Sequence, residues 1–255
     1  MKPPIVLLTD FGLQDHYVGV MKGVILSRVP EATFVDLTHE VSPQGVREGA
    51  YLLAVSYRYF PVGTIFLAVV DPGVGTERRA LVIRTEAHFF VGPDNGLFTL
   101  VLKRSRTAEI RAVEVERFRL PEASFTFHGR DLFAPVAAEV LSGRPFEEFG
   151  PKISDPVLLE FPEPEPVPGG LRVPVLKADR FGNLILNLPA EILSGRRFRV
   201  VVEGRRVPFV RTYAEAPEGE PLALIGSDGF LEIAVNQGSA ARIFGNDPEI
   251  LLLWE

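Results

Sequence analysis

Eleven residues near the middle of the chain, Glu160-Phe-Pro-Glu-Pro-Glu-Pro-Val-Pro-Gly-Gly170, constrain its folding more than any other stretch. Their four prolines fix φ and remove backbone donors, so no helix or central strand can run through them. Such a segment reads as an extended, semi-rigid connector, and the patterns on its two sides differ. Before it, short β-branched apolar runs alternate with amphipathic stretches. After it comes strand upon strand. This sets a division into residues 1–159, a linker at 160–170 and residues 171–255.

In the first part, strands are expected at Ile5–Thr9, Thr33–Leu37, Thr64–Val70, Leu81–Arg84, His88–Val91 and Ile110–Val115. Helices are expected at Tyr17–Arg28, Val46–Tyr59, Gly96–Lys103 and Asp131–Leu141, with Gly143 as the last one's C-terminal cap. That alternation predicts an α/β sheet domain. In the second part the strands Leu171–Ala178, Leu184–Leu188, Phe198–Val202, Leu222–Ile225, Leu231–Val235 and Ile250–Trp254 predict a small barrel or sandwich.

Composition excludes several functions. A net charge of −6 argues against a nucleic-acid face and favours a small-molecule partner. The absence of cysteine removes thiol nucleophiles, disulfides and cysteine metal sites. The four histidines lack metal-ligand spacing, so no metal is expected. The first apolar run, Ile5–Leu8, is too short for a membrane span, and a cytoplasmic location is the default. Only five of 27 basic residues are lysine and proline is frequent, which is compatible with a thermophilic source.

Several strings place acids where open sheets bind ligands. Asp10 follows the first strand and can accept a ribose diol, or equally cap the helix beginning near Tyr17. Asp71 follows the apolar run Thr64–Val70 and opens Asp-Pro-Gly-Val-Gly. Arg78 can fold back over that turn, although Asp71 could also merely initiate it. Neither segment carries a dinucleotide fingerprint or a phosphate loop. His128-Gly129 stands just before a helix, where its positive end would face a ligand. In the second part, Ala178-Asp179-Arg-Phe181-Gly-Asn183 and Gly226-Ser227-Asp228-Gly229-Phe230-Leu-Glu232 read as polar turns. Phe181 and Tyr213 would suit a flat purine, and Asn183 a base edge.

Taken in order, Thr9-Asp10-Phe-Gly, Val70-Asp71-Pro-Gly-Val-Gly-Thr, Gly92-Pro-Asp-Asn-Gly96, Thr126-Phe-His128-Gly-Arg-Asp, Asp179-Arg-Phe-Gly-Asn183 and Asn236-Gln-Gly-Ser-Ala resemble the S-adenosylmethionine hydroxide adenosyltransferases nearly end to end. More distantly they resemble the fluorinase and chlorinase enzymes, which have tyrosine at Asp71 and tyrosine-serine at His128-Gly129. The resemblance implies a Rossmann-like three-layer α/β sheet domain, a C-terminal all-β barrel and a homotrimer with active sites between subunits. It implies cleavage of S-adenosylmethionine by water to adenosine and methionine, with no cofactor, and Asp71, Arg78 and His128 as the catalytic set. Asp10 would bind ribose. Phe181, Asn183, Tyr213 and the backbone near Val235 would surround adenine. Asp179, Ser227 and, as a further polar contact, Glu232 would hold the methionine end. The halogenases carry arginine where this chain has Asp228. Two other readings remain compatible with these residues: a non-catalytic adenosine or S-adenosylmethionine binding protein, and an enzyme that breaks a glycosidic bond.

Overall fold

The computed structural model describes residues 2–255, which divide into two compact units, one ending at Leu159 and the other running from Glu160 to Glu255. In the first unit the strands are β1 (Ile5–Thr9), β2 (Phe34–Thr38), β3 (Ile65–Val69), β4 (Ala80–Thr85), β5 (Phe89–Pro93), β6 (Ala108–Ala112) and β7 (Lys152–Ile153). The helices are α1 (Tyr17–Arg28), α2 (Val46–Ser56), α3 (Thr99–Arg104), the short α4 (Val115–Phe118) and α5 (Ala134–Leu141). One seven-stranded sheet runs β2-β1-β3-β5-β4-β6-β7. Its β2, β1, β3 and β5 are mutually parallel, and the β4, β6 and β7 pairings are antiparallel.

Alternation along β1 shows why this sheet lies between two layers. Ile5 and Leu7 join Val18, Met21 and Ile25 of α1 and Val136, Ala137 and Leu141 of α5 in one core. Val6 and Leu8 point the other way, into a core with Leu53 of α2 and Val101 of α3. A strand buried on both faces must be almost wholly apolar, as β3 is throughout and β1 is up to Thr9, whereas β2 at the edge can carry Asp36.

The second unit contains β8 (Glu165–Val167), β9 (Gly170–Arg172), β10 (Val175–Ala178), β11 (Leu184–Pro189), β12 (Phe198–Val202), β13 (Arg205–Val207), β14 (Pro221–Ile225), β15 (Phe230–Val235), the helix α6 (Ala240–Phe244) and β16 (Ile250–Trp254). They form antiparallel sheets ordered β10-β11-β15-β14 and β13-β12-β16-β9-β8. Leu184, Leu186 and Leu188, alternate residues of β11, meet Val200, Val202, Ile250 and Leu252 of the other sheet in a single core. One isolated bridge, Phe209 to Ala223, links the β13 side to β14.

Several expectations change, among them the strand expected at Ile110–Val115, which lies at Ala108–Ala112 with Val115 opening α4. The proline-rich segment is extended but not wholly a linker, since Glu165–Val167 pairs with Gly170–Arg172 around Gly169 as an edge hairpin. An edge strand tolerates Pro166 because it needs bonds on one side only. The expected strand Leu171–Ala178 is broken at Val173-Pro174 into β9 and β10, which belong to different sheets. The expected helix Asp131–Leu141 begins only at Ala134, its first three residues belonging to a π-turn over Gly129–Phe133 that wraps the chain immediately after His128. No helix among the described residues is long and apolar enough to cross a membrane.

Candidate active site

The mouth of β3 is where the first unit concentrates its chemistry. Beyond Val70 the chain makes two successive tight turns, Val74 N–H to Asp71 O at 3.2 Å and Thr76 N–H to Gly73 O at 3.2 Å. Gly75 sits at φ 79°, and a Cβ there would stand 2.6 Å from the Phe125 carbonyl, so only glycine lets the loop close. Asp71 thus does initiate a turn. The same turn brings Arg78 back onto it: Nε donates to Oδ1 at 3.0 Å and to Oδ2 at 3.1 Å, and Nη2 also donates to Oδ2. Both side chains are nearly buried, and the guanidinium lies 5.0 Å from the centre of the Phe133 ring.

Arg78 Nη2 also meets His128 Nδ1 at 2.9 Å. A guanidinium can only donate, so Nδ1 accepts, and the network assigns His128 as neutral with its proton on Nε2. Burial above all, and then the charge of Arg78, hold the His128 pKa below its ordinary value. Arg78 therefore stands between the carboxylate and the imidazole. Asp71, His128 and Gly129 line a cavity of about 250 Å³ with Phe11, Tyr17, Val69, Val74, Thr126 and Phe127. Of these, Phe11, Tyr17 and Phe127 pack edge to face, with centroids 5.1 to 5.8 Å apart.

Asp10 lies at the end of β1, and its Oδ2 accepts the Gln44 N–H at 2.8 Å from a residue held at φ 65°. The loop carrying it is fixed from below. Thr9 Oγ1 meets buried His39 Nδ1 at 2.8 Å and accepts the Phe11 N–H, while the His39 carbonyl accepts Gly12 N–H. His39 Nε2 lies 3.0 Å from Asp36 but off the line of a hydrogen bond. His39 is thus part of the scaffold.

In the second unit Asp179 organises the turn before β11. Its Oδ1 accepts the N–H groups of Phe181 and Asn183, and its Oδ2 accepts the Asn183 amide at 3.0 Å. This leaves the Asn183 carbonyl oxygen as the free end of a buried side chain, with Phe181 exposed beside it. Tyr213 donates its hydroxyl to Glu232 Oε1 at 2.8 Å. Burial, followed by Asp179 and Asp228, raises the Glu232 pKa against the lowering effect of that bond, and burial and Glu232 raise Tyr213. Ser227 is exposed and reaches only Asp228, at 3.4 Å. The Val235 side chain belongs to the core, so only its backbone is available to a ligand.

Each unit thus assembles its own half of the expected residues: Asp71, Arg78 and His128 in the first, Asp179 with Asn183 and Tyr213 with Glu232 in the second. The aromatic wall of Phe11, Tyr17 and Phe127 was not expected, although Phe11 and Phe127 sit inside strings singled out in the sequence. Among the described residues no three histidines or carboxylates are placed to hold a metal ion.

The profile of the SAM hydroxide adenosyltransferase N-terminal domain matches residues 5–150, and that of the C-terminal domain matches residues 173–250. A protein of Thermus thermophilus described as (R)-S-adenosyl-L-methionine hydrolase is 45% identical over 95% of both chains. A fluorinase of an Actinoplanes species is 30% identical over 94% of this chain and 93% of its own. The crystal structure of an uncharacterized conserved protein from Thermotoga maritima superimposes with a TM-score of 0.89 at 39% identity, covering 98% of this chain and 99% of that one.

Proposed function

Because the chain belongs to the SAM hydroxide adenosyltransferase family and is an enzyme acting on S-adenosylmethionine, we propose that the Asp71–Arg78–His128 site hydrolyses this sulfonium to adenosine and L-methionine. The observation that carries the site assignment is that Asp71 and His128 line one cavity and are joined by Arg78, which donates to both.

Water is a weak nucleophile, so a base must take its proton as it attacks. In the proposed step the water oxygen bonds to C5′ while the C5′–S bond breaks and its electron pair goes to sulfur. Methionine leaves as a neutral thioether. One water proton passes to Asp71 and the other stays on the new 5′-hydroxyl. The carboxylate retains lone pairs beyond those that Arg78 occupies. Arg78 holds the carboxylate in place, and His128, with Nδ1 engaged, turns Nε2–H outward as a fixed donor. A relay from Asp71 to Nδ1 would have to pass through the guanidinium, so His128 orients the network and does not carry the proton. The scheme uses no cofactor beyond the substrate itself. A cavity walled largely by apolar side chains favours the reaction, because nucleophile and sulfonium lose opposite charges as they meet.

Asp10 would take the ribose hydroxyls. Asn183, Phe181, Tyr213 and the backbone at Val235 would frame adenine. Asp179, Ser227 and Glu232 would receive the methionine end. We read the two C-terminal sheets, which share a core and meet at the Phe209–Ala223 bridge, as a distorted barrel, and the active assembly as a homotrimer with its sites between subunits.

Incubation with S-adenosylmethionine in oxygen-labelled water, followed by mass spectrometry, tests the reading. The label is expected in the adenosine 5′-hydroxyl, and halide is not expected to compete. Label in methionine, adenine release, or unchanged ligand would overturn it.

A further inference from the structure

The string Gly92-Pro-Asp94-Asn95-Gly96 enters none of the steps above, yet it touches both stems of the loop that carries Asp71 and Arg78. Asn95 donates its amide to the Val70 carbonyl at 2.8 Å, one residue before Asp71. The Asn95 carbonyl oxygen is itself fixed by the Leu97 N–H at 3.2 Å. On the other stem, Asp94 Oδ2 accepts from Arg79 Nε at 2.7 Å, and the Asp94 N–H donates to the Arg79 carbonyl at 2.9 Å, one residue after Arg78. Asp94 is itself buried, and its second oxygen accepts the Val157 N–H at 2.8 Å.

We infer that Asp94 and Asn95 are positioning residues that set the Asp71–Arg78 pair by clamping residues 70 and 79. The inference rests on the hydrolase reading. Neither residue lines the cavity at the β3 mouth. Their reach is one peptide from each catalytic side chain. A loop of tight turns has few ways to absorb a displaced stem, so the displacement passes to the Asp71 carboxylate and to the bond between Arg78 and His128. Misplacement on the ångström scale costs about 100-fold in rate in well-oriented sites.

The test compares Asn95→Ala and the isosteric Asn95→Asp, which replaces the amide donor with an acceptor, against Ile83→Val, a core substitution on neighbouring β4. Both Asn95 variants are expected to lose about tenfold or more in kcat with KM for S-adenosylmethionine within about threefold, while Ile83→Val keeps kcat. On an Asp71→Asn background, Asn95→Ala should add no further loss, because the group it positions is already gone. A readout independent of turnover is the NMR titration of His128. Its pKa should move up in Asn95→Ala as Arg78 leaves Nδ1. Wild-type turnover and its loss in Asp71→Asn test the hydrolase reading by themselves. A folded Asn95→Ala protein with wild-type kcat and an unmoved His128 titration would overturn the clamp, as would a kcat loss that multiplies on the Asp71→Asn background.

Discussion

Asp71 and Arg78 form a nearly buried ion pair, and such a pair is poor evidence for stability because desolvation offsets most of its attraction. Its geometry instead fits the proposed role, with Arg78 fixing the carboxylate that is to receive the water proton. Asp71→Asn should therefore lose about 100-fold or more in turnover while still binding adenosine, measured by titration calorimetry alongside the steady-state rate. Wild-type turnover at saturation would remove Asp71 from water activation. His128 gives a pH prediction whose sign follows from its surroundings. Burial and Arg78 hold its folded pKa below the ordinary 6.5, so at neutral pH it is already in the form that accepts from Arg78. Activity should be flat through neutrality and fall only on acidification through that depressed value, as protonated Nδ1 turns toward a guanidinium it can no longer accept from. An acid limb at or above pH 6.5 would contradict the assignment. Much of this was legible in the sequence, because Asp71 to Arg78 is one contiguous loop. The position of Arg78 between carboxylate and imidazole was not, since it depends on the π-turn after His128 and on side-chain geometry.

Secondary-structure elements show which interactions sequence patterns report and which they omit. β1, α1, β12 and β16 have the expected bounds, the strands because compact apolar runs mark them in the sequence. β8 and β13 went unrecognised, for edge strands of three residues carry too little pattern. α6 was missed likewise, and it matters to the site. Its N-cap Ser239 packs against Gly182, bringing together two of the recognised strings, Asp179–Asn183 and Asn236–Ala240. Gly182 has φ 85°, and a Cβ there would lie 1.9 Å from Ser239 Oγ. Gly182→Ala must therefore shift the turn that presents Phe181 and Asn183. Adenosine affinity should drop by about tenfold, a change of roughly 1.4 kcal/mol, with kcat at saturation kept. Unaltered adenosine affinity would place purine recognition elsewhere. On the β4–β5 hairpin, His88 is buried against Tyr57 and Phe66 with Nδ1 lacking a partner. Burial depresses its pKa, so the fold favours neutral His88. The associated stability is present above the unfolded pKa near 6.5 and is lost as pH falls below it toward the folded value. His88→Phe should flatten that acid-side loss and relieve an unsatisfied nitrogen worth about 1 kcal/mol, read from denaturation midpoints across pH. An unchanged acid slope would assign the loss to other groups.

At the scale of the whole molecule, the two units divide the proposed chemistry completely. Asp10, Asp71, Arg78 and His128 precede Leu159, whereas Asp179, Asn183, Tyr213, Ser227 and Glu232 follow Glu160. The segment Glu160–Gly170 at the head of the second unit carries four prolines, and Glu165–Val167 is tied into that unit by β9. In the homotrimer proposed above, each unit would meet the complementary unit of a neighbour around a closed ring. The arrangement makes a specific demand on mixtures. In co-assembled Asp71→Asn and Asn183→Ala subunits, some interfaces combine an intact catalytic half with an intact adenine half, and others combine two defective ones. Activity should therefore reappear in mixed oligomers although each parent is impaired. Unmixed parents recombined without subunit exchange should show none of this gain. Sedimentation of the wild type should give three chains per particle at assay concentration. A fully active monomer, or mixed trimers no more active than the parents' average, would require both halves of the site to close within one chain.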